Sequence, residues 1–97
     1  MPTNLNSKLL LLACYYELNQ EEVLLSSIDT FTTFLRRDKK VQNIRTQRYL
    51  NFNKYIKKLV LARYSKEKVF KLKEQLVPDK EVLNKPWLLE KIEEELK

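Results

Sequence analysis

The side chains of this chain that could do chemistry are cations and carboxylates. Lys54, Lys57, Lys58, Arg63, Lys66, Lys68, Lys71 and Lys73 crowd one stretch, interleaved with Tyr49, Phe52, Tyr55, Tyr64 and Phe70. Cations at this density can line phosphates, and exposed aromatics between them can stack on unpaired bases. Lys54, Lys57, Lys58, Arg63, Lys66 and Lys68 are therefore the expected surface for an anionic partner, whether nucleic acid, an acidic membrane surface or an acidic protein. A solvated helix face accounts for the same lysines, and most of the aromatics recur at core spacing. The acidic C-terminal segment can also fold back and neutralise part of the patch. No helix carries Asn, Gln or Arg along one edge in a base-reading pattern. Polyanion binding is thus the alternative reading, with nucleic acid not the expected partner but left open.

The carboxylates group as Glu21–Glu22 and as Glu90 with Glu93 and Glu94. They sit beside solvent-facing lysines, and nothing near them provides the burial that raises one carboxyl pKa for acid–base work. Cys14 falls in a predicted core, where a thiol is an inert small hydrophobe. A single cysteine forms no internal disulfide and no thiolate zinc site. With no histidine the usual general base and metal ligand are missing. With no glycine there is no phosphate-cradling loop, dinucleotide fingerprint or nucleophile elbow. The chain is expected to be no enzyme and to hold no metal or cofactor.

Behind these residues stands a chain of 97 residues with 19 Lys+Arg and 13 Asp+Glu, a net charge of +6 and 43% hydrophobic residues. The length allows one core. Charge is unevenly spread: residues 1–35 carry a net −3, residues 36–73 a net +12 and residues 74–97 a net −3. The longest apolar run, Leu9 to Tyr16, is too short to span a bilayer, and no basic stretch leads into it as in a signal peptide. The cytoplasm is the expected compartment, and the aliphatic content argues against disorder.

The elements that must position these groups are helical by periodicity. Helix one is predicted over 5–18. Leu5, Leu9, Leu12, Ala13 and Tyr16 share one face, Leu10 and Cys14 a second, and Leu11, Tyr15 and Leu18 a third. A helix apolar all round must be covered all round. Asn19 and Glu22 fit a capping box for helix two, predicted over 20–37. There Leu24, Ile28, Phe31 and Leu35 form the stripe, which Val23 and Phe34 widen, while Ser26, Asp29, Thr33, Arg36 and Arg37 face water. Residues 38–42 read as a connector. Helix three, over 43–63, turns Ile44, Tyr49, Phe52, Tyr55, Ile56, Leu59, Val60 and Ala62 inward, with Arg48 in the apolar arc as a snorkelling or carboxylate-paired arginine. Ser65 caps helix four, over 66–77, with Val69, Leu72 and Leu76 inward and Pro78 as the stop. Helix five runs over 85–96 with Pro86 in its first turn, Trp87 plugging the core end, and Leu88, Leu89, Ile92 and Leu96 as its stripe.

The turns at Asn19 and Ser65 stand 46 residues apart, and at that offset Val23 meets Val69 and Phe31 meets Val77. A period of this size belongs to stacked helix pairs. Residues 15–31, YYELNQEEVLLSSIDTF, resemble the middle of a tetratricopeptide repeat. Tyr15 matches the family's tyrosine, and Asn19 stands where the family has glycine. Leu24 and Phe31 replace alanines that let helices approach closely, which implies wider spacing, and the proline after the second helix is replaced by Arg36–Arg37–Asp38. The whole chain is also similar to the C-terminal part of longer bacterial proteins built of such helices, from which no residue-level activity carries over.

The expected fold is all-α: two antiparallel helical hairpins, 5–37 and 43–77, and a capping helix, 85–96, in a right-handed tetratricopeptide-like stack forming one module over 1–97. The expected function is protein–protein interaction or scaffolding. A terminal solenoid repeat needs a polar outer face. Helix five has one and helix one does not, so Leu10, Leu11, Cys14, Tyr15 and Leu18 are the expected packing or interaction face. Its expected occupant is a preceding repeat of a longer chain, which makes Met1–Pro2 an artificial start, or else a second copy in a homodimer, or an unrelated protein.

Overall fold

The computed structural model describes residues 5–37 and 44–97. The connector expected at 38–42, Asn43 and the start at Met1–Pro2 lie outside the described residues. Within them every regular element is an α-helix: α1 Leu5–Glu17, α2 Glu21–Arg37, α3 Ile44–Ala62, α4 Lys66–Leu76 and α5 Lys85–Leu96. The chain divides into two compact units, Met1–Lys39 and Lys40–Lys97.

In the first unit α1 packs on α2. α1 is built from leucines and other residues that lose little side-chain freedom in a helix, with no Gly or Pro to break it. It buries Leu9, Leu12, Ala13 and Tyr16, as its spacing predicts. Its end differs from the capping-box expectation. Asn19 adopts the left-handed conformation (φ 58°). The Gln20 amide then donates to the Tyr15 carbonyl at 3.0 Å and the Asn19 amide to the Tyr16 carbonyl at 3.1 Å. This paired pattern closes α1 rather than opening α2, so Asn19 is the left-handed residue of a Schellman turn. α2 opens instead at Gln20, whose carbonyl accepts the Leu24 amide at 2.8 Å. Glu21 and Glu22 in its first turn, and Arg36 and Arg37 in its last, complement the helix dipole. Leu24, Ile28, Phe31 and Leu35 are buried, whereas Val23 is exposed because it lies on the flank of that stripe.

The second unit holds α3, α4 and α5, with α4 packed on both others and α3 also touching α5. α3 buries Tyr49, Phe52, Tyr55, Ile56, Leu59, Val60 and Ala62, and Ile44, at its very start, is exposed instead. Ser65, in an extended conformation, caps α4 by accepting the Lys68 amide on Oγ at 3.4 Å. Val69, Leu72 and Leu76 pack inward, and α4 closes at Val77, before Pro78. α5 buries Leu88 and Ile92, and the Trp87 ring lies 6.2 Å from the Phe52 ring, centroid to centroid. Leu89, expected inward, is half-buried, and Lys91 is buried in its place. The starts of α2 and α4, at Glu21 and Lys66, are 45 residues apart. Their preceding turns differ in conformation, since Asn19 is left-handed and Tyr64, which stands at the same offset, is not.

Candidate binding surfaces

The basic stretch is divided by its ion pairs. Arg48 Nε donates to Glu81 Oε2 at 2.7 Å, and Arg63 Nη2 lies 3.3 Å from Glu95 Oε1 with both side chains largely buried. Lys73 pairs with Glu93, and Lys71 with Glu67 at 3.6 Å on the same helix. Lys91 Nζ reaches Glu94 Oε2 at 3.1 Å and stands over the Trp87 ring. Lys66 Nζ donates to the Lys97 main-chain oxygen at 3.2 Å. α5 thus draws on Lys73 of α4 and on Arg63 in the turn before α4, and Arg63 in particular is held inside the unit. Lys54, Lys57 and Lys58 remain exposed on α3 and Lys68 on α4.

At 100° per residue, Lys54, Lys57, Lys58 and Leu61 fall within about 100° of arc on α3. Leu61 is an apolar side chain beside these lysines and is 63% exposed. It helps floor an open groove of about 270 Å³ lined by Lys58, Leu61 and Ala62 from α3 and by Lys68, Lys71, Leu72 and Gln75 from α4. No carboxylate is among these lining residues. Lys58 Nζ is 3.4 Å from Gln75 Oε1, a long and exposed contact that holds the ammonium only loosely. The aromatic pattern does not follow the lysines. Tyr49, Phe52 and Tyr55 are core residues, while Tyr64 and Phe70 are exposed outside the groove lining. Sequence reasoning missed the groove, although one leucine among the α3 lysines was its readable sign.

A second missed feature is the clamp on the 77–84 loop. Arg48, Asn51 and Tyr55 lie within about 60° of arc on α3. Asn51 Nδ2 donates to the Glu81 carbonyl at 2.7 Å and Tyr55 Oη to Asp79 Oδ2 at 2.9 Å. Lys85 Nζ donates to the Val77 carbonyl at 2.6 Å and to the Asp79 carbonyl at 2.8 Å. Burial, and then the hydrogen bond to the Asp79 carboxylate and its charge, push the Tyr55 phenol up to about 12. A phenol held protonated this firmly is a structural donor and not a general base at neutral pH.

In the first unit, Leu10 is 59%, Leu11 48% and Leu18 66% exposed. Cys14 is exposed too, which corrects its expected place in a core, and Tyr15 is half-buried at the edge. Leu10, Leu11, Cys14 and Leu18 span about 100° of arc, turned away from the face that carries Leu9, Leu12, Ala13 and Tyr16. α2 covers one side of a helix, and an all-round apolar helix keeps its remaining side bare. Lys8, the one cation of α1, stands over the Phe34 ring at 5.3 Å.

Among the described residues no group of His, Cys, Asp and Glu could hold a metal ion. No helix among them is long and apolar enough to cross a membrane. No protein-family model, curated protein or solved structure matches the chain.

Proposed function

We propose that this chain is a protein–protein interaction or scaffolding module, a helical-repeat element without catalytic activity. The observation that carries the reading is a bare leucine face: Leu10 and Leu11, with Cys14 between them, exposed along one side of the 13-residue α1, and Leu18 exposed in the turn that follows it. Single exposed leucines are ordinary, whereas several on one helix face form a patch of the kind that partner surfaces cover. The tetratricopeptide-like arrangement belongs to the same proposal. Its support is that each unit contains a helix pair closed by a three-residue connection, 18–20 and 63–65.

The triple substitution Leu10→Ser, Leu11→Ser, Leu18→Ser tests it. Light scattering over a concentration series should show association of the natural sequence that the variant lacks. The variant's unfolding free energy should fall by less than about 1 kcal/mol, because side chains already in water lose little when removed. A natural protein that stays monomeric throughout, with a variant destabilised by several kcal/mol, would mean that this face belongs to the fold.

A second reading, binding of a polyanion, has its own support in the exposed lysines Lys54, Lys57, Lys58 and Lys68. It requires retention on heparin that collapses steeply with salt, since release of condensed counterions drives such binding.

A further inference from the structure

We infer that the groove between α3 and α4 is a docking site for an acidic amphipathic helix of a partner protein. The inference deepens the interaction-module reading but rests on a different surface, in the second unit, from the leucine face of α1.

The groove's volume of about 270 Å³ and its open form are too small and shallow to enclose a drug-sized molecule, which needs a pocket of roughly 300–1,000 Å³ that buries most of it. They suit one or two apolar side chains presented from outside. The lining meets that need: Ala62 and Leu72 are buried there, and Leu61 stands exposed beside them. The rim sets the partner's charge. Lys58, Lys68 and Lys71 border the groove with Gln75, and no acidic side chain joins them in the lining. Lys71's own carboxylate neighbour, Glu67, is 3.6 Å away with both side chains mostly in water, so a partner carboxylate competes with it easily. Lys54 and Lys57 extend the same sign of charge along α3.

The partner's conformation follows from what surrounds the groove. An extended segment would need a sheet edge to satisfy its main chain, and this surface is two helices. A polyproline segment would need an aromatic-lined groove, and no aromatic residue is among the lining. A helix satisfies its own main chain and lays an apolar stripe between two others, with carboxylates on its flanks reaching the lysines. A nucleic-acid strand fits less well, because it would place bases over leucine and alanine with no aromatic ring to stack on.

The test uses the full chain and a labelled peptide of about 16 residues, Leu at i, i+3, i+4 and i+7 and Glu on the flanks, a spacing that makes one apolar stripe. Anisotropy should report saturable binding, and amide shifts should map it to residues 58–75. Reversing the rim with Lys58→Glu, Lys68→Glu and Lys71→Glu should weaken binding about tenfold or more, and Leu61→Ser about fivefold at unchanged charge. All four side chains are exposed or at the rim, so the melting temperature should hold and unfolding cannot explain the loss. Equal binding of a scrambled peptide with the same glutamates would overturn the groove, as would indifference to Leu61→Ser. Tighter binding of a single-stranded oligonucleotide of similar length, with the same amides shifting, would assign the surface to a polyanion instead. Shifts confined to residues 5–18 would also overturn it while leaving the α1 reading standing, and the α1 leucine substitutions should leave peptide binding at the groove unchanged.

Discussion

Tyr55 shows at the scale of one residue how burial and a neighbouring charge act together. Its hydroxyl donates to Asp79, and its pKa is raised to about 12 from the ordinary 10.0. Folding therefore favours the protonated phenol. The stability this contributes is complete below pH 10, and it is lost as pH rises through 12. Tyr55→Phe should remove the phenolate absorbance that appears near pH 12 and cost about 1 kcal/mol at neutral pH, the net worth of a typical hydrogen bond. An unchanged alkaline titration would mean the late-ionising phenol is another. Tyr55 reads from the sequence as a core aromatic, which it is. Its hydrogen bond does not read, because Asp79 lies 24 residues away in a loop whose path no local pattern specifies.

Among the elements, the connection between α1 and α2 is the most sensitive to a single change. Asn19 carries a left-handed backbone that most residues adopt only at a cost of about 1–2 kcal/mol, and asparagine less so. Asn19→Ala should lower stability by about 1 kcal/mol, and Asn19→Gly should leave it level or raise it slightly, as calorimetry would record. Equal effects of the two would mean that the side chain, not the backbone angle, sets this turn. Asparagine's tolerance of the left-handed region accounts for Asn19's conformation, while the capping-box pattern pointed to the wrong helix. Both are satisfied by the same letters, and only the direction of the amide hydrogen bonds separates them.

Across the whole molecule the two units differ in how much core they hold. Among the described residues the first rests on α1 and α2, and the second gathers α3, α4 and α5 around Phe52, Ile56, Leu59, Val69, Leu76 and Leu88, all nearly inaccessible to water. Native-state hydrogen exchange should find the slowest amides in the middle of α3, around Phe52–Leu59, with α1 opening at lower free energy. A single uniform exchange energy along the chain would mean that the units unfold as one. The net charge of +6 is likewise not a uniform coat. Arg48, Arg63, Lys71, Lys73 and Lys91 are engaged by carboxylates within the second unit, so its outward field comes from fewer cations than the sequence contains.

What the sequence determined by itself is whatever depends on near neighbours. The helices α1 to α5, the buried stripes of α2 and α4, the Ser65 cap and the apolar circumference of α1 all follow from spacings of three and four residues and from the hydrogen bonds of one turn. What only the tertiary structure decided depends on distant segments meeting. The partners of Arg48 and Arg63 lie 33 and 32 residues along the chain. The groove needs Leu61 and Leu72 brought together from two helices, and which sides of α1 stay wet depends on what α2 covers. Local periodicity sets what a helix can bury, and the geometry of packing sets which part of that it does bury.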